Sequence, residues 1–151
     1  MAVEELLVRE RSQVLDEAVA ALLRSGAIHY EESGDEFTRE RLVELFDLVI
    51  GALRDRELEQ VIRYCEIVAE DRFAAGFGIS EIQTAFNVLE EVMWRHVVEG
   101  VQPADLPQSI GALSTILGAG KDALARRYVA LASQRHVPSL DFSALFAGTD
   151  R

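Results

Sequence analysis

Apolar residues recur every three to four positions along most of the chain, with polar residues between them, which is the period of an α-helix. From Val3 to Arg24 the stripe is Leu7, Val14, Ala18 and Leu22, widened by Leu15, Val19 and Leu23, and Gly26 closes it. The acidic run from Ala27 to Glu36, with Gly34 inside it, reads as a solvated loop in which His29 and Tyr30 stand out. Thr38 is placed to cap a second helix whose stripe is Leu42, Leu45, Phe46, Val49, Ile50 and Leu53. A third helix carries Leu58, Val61, Ile62, Cys65, Val68 and Ala69, and the same spacing sets Arg72 on its apolar face. A lone charge buried there loses its hydration, so Arg72 calls for a partner: a carboxylate such as Glu81, or free helix carbonyls.

Gly76 and Gly78 flank Phe77 and offer the positive φ that a helix C-terminus favours. Ser80 with Gln83 fits a capping box opening the fourth helix. Its stripe is Ile82, Phe86, Leu89, Met93 and Val97; His96 widens one side, Trp94 falls on the other flank, and Gly100 ends it. After Pro103, Asp105 and Gln108 can cap a fifth helix running to about Ser133, with Leu106, Ile110, Leu113, Leu117, Leu124, Tyr128 and Leu131 facing inward. Its second flank is small: Gly111, Ala112, Thr115, Gly118, Ala119 and Ala123. Interior glycines weaken a helix, so this flank predicts a close helix neighbour or room for a ligand. No strand is legible. The pattern predicts an all-α antiparallel bundle of about five helices over residues 1–135. A short apolar tail, residues 136–151, carries Phe142 and Phe146 and has the character of a docking segment.

Composition narrows the function. The chain of 151 residues is 49% hydrophobic and 27% charged, enough to bury one domain core. A net charge of -11 disfavours nucleic acid and anionic membrane as partners. The single cysteine, Cys65, permits no internal disulfide. No signal peptide and no membrane-length apolar run is visible, so the expected location is the cytoplasm.

No constellation points to a reaction. A bundle metal site needs Glu-x-x-His spacing, and no histidine here has glutamate three residues before it; His29, His96 and His136 lie in separate segments. The glycine pair follows no strand, so it is not a phosphate loop. Cys65 sits on an apolar stripe and reads as an inert packed thiol, and Ser80 reads as a cap. His96 reads as a hydrogen-bonded helix-end histidine, with haem ligation the sharper alternative. Trp94, off the main stripe, reads either as an interface anchor or as the edge of the core.

The run Glu70-Asp71-Arg72, then Gly76-Phe77, then Ile79-Ser80-Glu81-Ile82, followed by Leu89 and Trp94, resembles the N-terminal helical domain of RsbR-type co-antagonists of RsbT. Similar domains precede bacterial histidine kinases and transcription regulators. Carried over position by position, the family's arginine is Arg72, its glycine Gly76, its glutamate Glu81 and its tryptophan Trp94. Where the family often has an arginine after the leucine of the fourth helix, this chain has Glu90. Such domains are usually fused to an output module, and here the chain ends soon after its last long helix. The resemblance therefore implies a free-standing, non-catalytic signalling input domain acting by protein contacts in trans.

The expected partners are a second copy, as a homodimer, and another signalling protein. Trp94, Phe142 and Phe146 are the expected interface, and Arg72, Gly76, Ser80 and Glu81 the structural motif. The alternative is a small-molecule or haem sensor lined by His96, Gly111, Thr115 and Gly118. Neither metal nor cofactor is assigned, and no enzyme activity.

Overall fold

A computed structural model describes residues 2–136. Six α-helices follow one another: α1 (Val3–Arg9), α2 (Arg11–Arg24), α3 (Ile28–Asp55), α4 (Glu59–Ala74), α5 (Ile79–Gly100) and α6 (Leu106–His136), with a 3-10 turn at Pro103–Asp105. No strand occurs among the described residues, so the all-α reading holds. Phe142 and Phe146, and with them residues 137–151 of the expected tail, lie outside the described residues.

The stripe from Val3 to Arg24 is two helices and not one. Glu10 departs from helical geometry (φ -98°, ψ 15°), and the break lets α1 turn its buried Leu6 and Leu7 back onto the bundle. Leu6 lies so close to Gly100 at the end of α5 that a Cβ there would fall 2.7 Å from a Leu6 methyl. Hydrophobic period is blind to such a break, because both halves share one apolar face.

The acidic segment expected as a loop is the first part of α3. Its Ala27 and Tyr30 are buried, and the helix is kinked at Gly34, whose φ of 90° and ψ of 173° only glycine adopts readily. Thr38 is fully buried and does not cap a helix. Its hydroxyl donates to the Tyr30 carbonyl at 3.3 Å, bridging the kink. Burial of Tyr30 against distant aromatic residues outweighs the local polarity of Glu31, Glu32, Asp35 and Glu36.

The core is continuous across all six helices. α3 is the common neighbour, packed on by every other helix; α5 meets α1, α2, α3 and α6, and α4 lies along α6. α1 and α2 run the same way, both against α3, with Arg11 reaching Asp47 and Asp16 reaching Arg39; α4 and α6 run parallel, with Cys65 against Gly120 and, further along, Glu70 paired with Arg127. A Cβ on Gly120 would stand 3.0 Å from Cys65 Sγ and 3.3 Å from Phe86. On α6, Gly120 is therefore the glycine that admits a close neighbour. Around Gly111 and Gly118 nothing lies within 4 Å of a built Cβ, so the small flank serves close packing at a position outside the set read from sequence.

Candidate functional site

The α4–α5 turn is built as the glycines suggested, with one change. Gly76 takes φ 86° while Gly78 is extended at φ -74°. Phe77 N–H donates to the Arg72 carbonyl at 2.9 Å and Gly76 N–H to that of Phe73 at 3.2 Å, the paired bonds of a Schellman terminus. Tyr128 of α6 donates its hydroxyl to the Phe77 carbonyl. Gly78, not Ser80, is the N-cap of α5. Ser80 lies inside the helix, where its carbonyl accepts from Thr84 Oγ1.

Glu81 occupies the third position of α5, and its Oε2 accepts from Gly78 N–H at 3.0 Å. The same carboxylate reaches the start of α3: Oε1 accepts the backbone N–H of His29 at 3.1 Å, and Oε2 meets His29 Nδ1 at 2.8 Å. A carboxylate only accepts, so Nδ1 carries the proton. Partial burial would raise the Glu81 pKa, but the backbone N–H of His29, that of Gly78 and the imidazole outweigh it and hold the carboxyl below its ordinary value. Glu81 thus closes the α4–α5 turn and clasps α3 at once.

Arg72 is buried, as the spacing predicted. Its partner is neither Glu81 nor a helix carbonyl. The guanidinium lies over the rings of Phe37 (5.1 Å) and Phe77 (5.5 Å), and its charge acts on the Tyr30 hydroxyl. Aromatic faces attract a cation electrostatically, which answers part of the lost hydration. His29, Tyr30 and Phe37 also pack on Phe77, with centroids 4.9 to 6.2 Å apart. The sequence signal for this arrangement was present in the aromatic spacing of Tyr30 and Phe37, but the loop reading hid it.

His96 is buried on α5 and faces α2. Its Nδ1 lies 2.5 Å from Glu10 Oε1 and its Nε2 2.9 Å from Glu17 Oε2. Burial pulls the imidazole pKa down, yet the two carboxylate hydrogen bonds overcome that and raise it. Glu10 and Glu17 are lowered in turn, first by their hydrogen bonds to His96. Both ring nitrogens are occupied, so haem iron would have to displace a carboxylate.

The other expected ligand residues are not gathered around His96. Gly111 and Thr115 line an open cleft of about 690 Å³ with Val3, Ala52, Arg54 and Arg56, a wall that includes neither His96 nor Gly118. Trp94 is 44% exposed and Val98 one turn on is 40% exposed, so Trp94 is not the closed edge of the core. Among the described residues no cluster of three or more His, Cys, Asp or Glu is arranged to hold a metal. No described helix is long and apolar enough to cross a membrane.

Among the described residues the polar groups of this all-α bundle cross-brace helices, as Glu81 does for the α4–α5 turn and α3 and His96 for α5 and α2. The chain belongs to the RsbT co-antagonist protein rsbRD N-terminal domain family, whose model matches residues 12–139. No curated protein and no solved structure matches the chain.

Proposed function

We propose that this domain works in the cytoplasm as a non-catalytic input module that passes its signal through protein contacts in trans, in a homodimer and with a protein of the RsbT regulatory system. The observation that carries the reading is the exposed Trp94 and Val98 pair on one face of α5, supported by the family match. Tryptophan at the centre of an interface commonly contributes about 2 kcal/mol or more, roughly 30-fold in Kd. Analytical ultracentrifugation and partner titration of the wild type and of Trp94→Ala test it. The expected result is self-association and partner binding weakened by that order in the variant; unchanged association at both would remove Trp94 from the contact.

A second reading is a small-molecule sensor, favoured by the cleft that Gly111 and Thr115 line beside Arg54 and Arg56. Its wall carries two guanidinium groups, which suit the anionic group of a metabolite, beside the carboxylates of Glu4 and Asp105. A thermal-shift panel of carboxylates and phosphorylated compounds tests this, and a flat response across the panel would set it aside.

A further inference from the structure

Arg72 is 94% buried by its 6% residual exposure and makes no ion pair among the described residues. Its Nε has no hydrogen-bond partner there, and the same is true of the Nε of Arg41 on α3. Both arginines line one small, partly open cavity of about 20 Å³, walled by Leu22, Tyr30, Leu42, Tyr64 and Phe86. Buried N–H donors left without acceptors are rare in native proteins, and each calls for an explanation. Two such donors on cationic groups facing one space call for an acceptor with negative charge.

We propose that this cavity is a binding site for a single halide-sized anion, chloride in the cell, held between Arg72 and Arg41. Size sets the class: a space of about 20 Å³ exceeds the minimum of roughly 10–15 Å³ that a water needs, and it is too small for phosphate or a carboxylate metabolite. Charge sets the sign. The nearest carboxylates are already engaged: Glu44 accepts from the Tyr64 hydroxyl at 2.7 Å and pairs with Arg41 at 3.5 Å, and Glu40 pairs with Arg41 at 3.6 Å. Both pairs sit at the solvent end, where the Arg41 side chain is 30% exposed, and that end is the route of entry. Arg72 has no such counter-charge, and the aromatic rings over it supply no hydrogen-bond acceptor for Nε. Tyr30, whose pKa burial raises, keeps its phenolic proton beside Arg72, so the wall presents donors and no second anion.

The site goes beyond the contact surface proposed above and shares no residue with it. The test uses the full chain in sodium gluconate, with chloride or bromide substituted at constant ionic strength. Because a ligand that binds the native state stabilises it as the logarithm of its concentration above Kd, Tm is expected to rise by equal steps for each tenfold increase in either halide. Arg41→Gln, at the solvent end, is expected to fold and to lose this dependence. Crystals grown with bromide are expected to give an anomalous peak between the two guanidinium groups, a readout independent of any variant. Equal Tm in gluconate, chloride and bromide, with no anomalous peak in the cavity, would overturn the proposal and leave water as the occupant.

Discussion

His29 donates its backbone N–H and its Nδ1–H to the two oxygens of one carboxylate, that of Glu81, across 52 positions of sequence. Because Glu81 also accepts from Gly78, three helix ends depend on it: the close of α4, the start of α5 and the start of α3. Glu81→Ala removes an acceptor shared by three donors, two of them in partly buried bonds. The expected loss is about 1–3 kcal/mol in urea unfolding, with Glu81→Gln retaining part of it. An unchanged midpoint in both variants would mean that water replaces the clasp.

The His96 clamp makes stability depend on pH from both sides. His96 has its pKa raised above the ordinary 6.5 on folding, so its contribution is complete below 6.5 and is lost as pH climbs through the raised value. Glu10 and Glu17 have theirs lowered from 4.5, so their contribution is complete above 4.5 and is lost as pH falls through the lowered values. The clamp is at full strength between those limits. His96→Gln is expected to flatten both edges of a plot of unfolding free energy against pH. Parallel curves for wild type and variant would show that the edges arise elsewhere.

Gly120 and Gly118, two residues apart on α6, should respond oppositely to alanine. At Gly120 the new methyl meets Cys65, Val61 and Phe86 between 3.0 and 3.3 Å, and overpacking of this kind costs about 1–3 kcal/mol. At Gly118 the space is open, so the better helix propensity of alanine should stabilise by up to about 1 kcal/mol. Thermal melts of the two variants decide whether the α4–α6 approach is as close as described.

Cys65 is fully buried at that approach, and burial pushes its thiol up to about 12. Little thiolate exists at neutral pH, and the thiol is shielded from solvent. Iodoacetamide labelling is therefore expected to track global unfolding along a urea series. Labelling well below the unfolding midpoint would reveal local opening between α4 and α6.

The helical stripes, the buried Arg72 and the Gly76 turn were legible because each rests on spacing within one segment. The misreadings share one physical origin, contacts remote in sequence. Nothing near Glu10 announces a helix break, since what Glu10 meets is His96 on α5. The acidity of residues 31–36 pointed to a loop, while Tyr30 and His29 were being recruited by Phe77 and Glu81. Ser80 is a better cap by residue type than Gly78, yet Gly78 stands three residues before Glu81, whose carboxylate accepts its backbone N–H. The counterpart of Arg72 was sought among charges, and two aromatic rings supplied it.

The kink at Gly34 has a stereochemical consequence. Its φ and ψ are the mirror image of an ordinary extended residue, a conformation natural to a D-amino acid and strained for an L one. No neighbouring atom lies within 4 Å of a Cβ built there, so handedness and not bulk governs what the position accepts. Chemically synthesised protein with L-alanine at this position should lose stability, and D-alanine, by restricting the unfolded chain, should match or exceed the glycine form. The bend that lets Tyr30 and Phe37 meet over Phe77 is thus a chiral requirement, met here by the one residue that has no handedness.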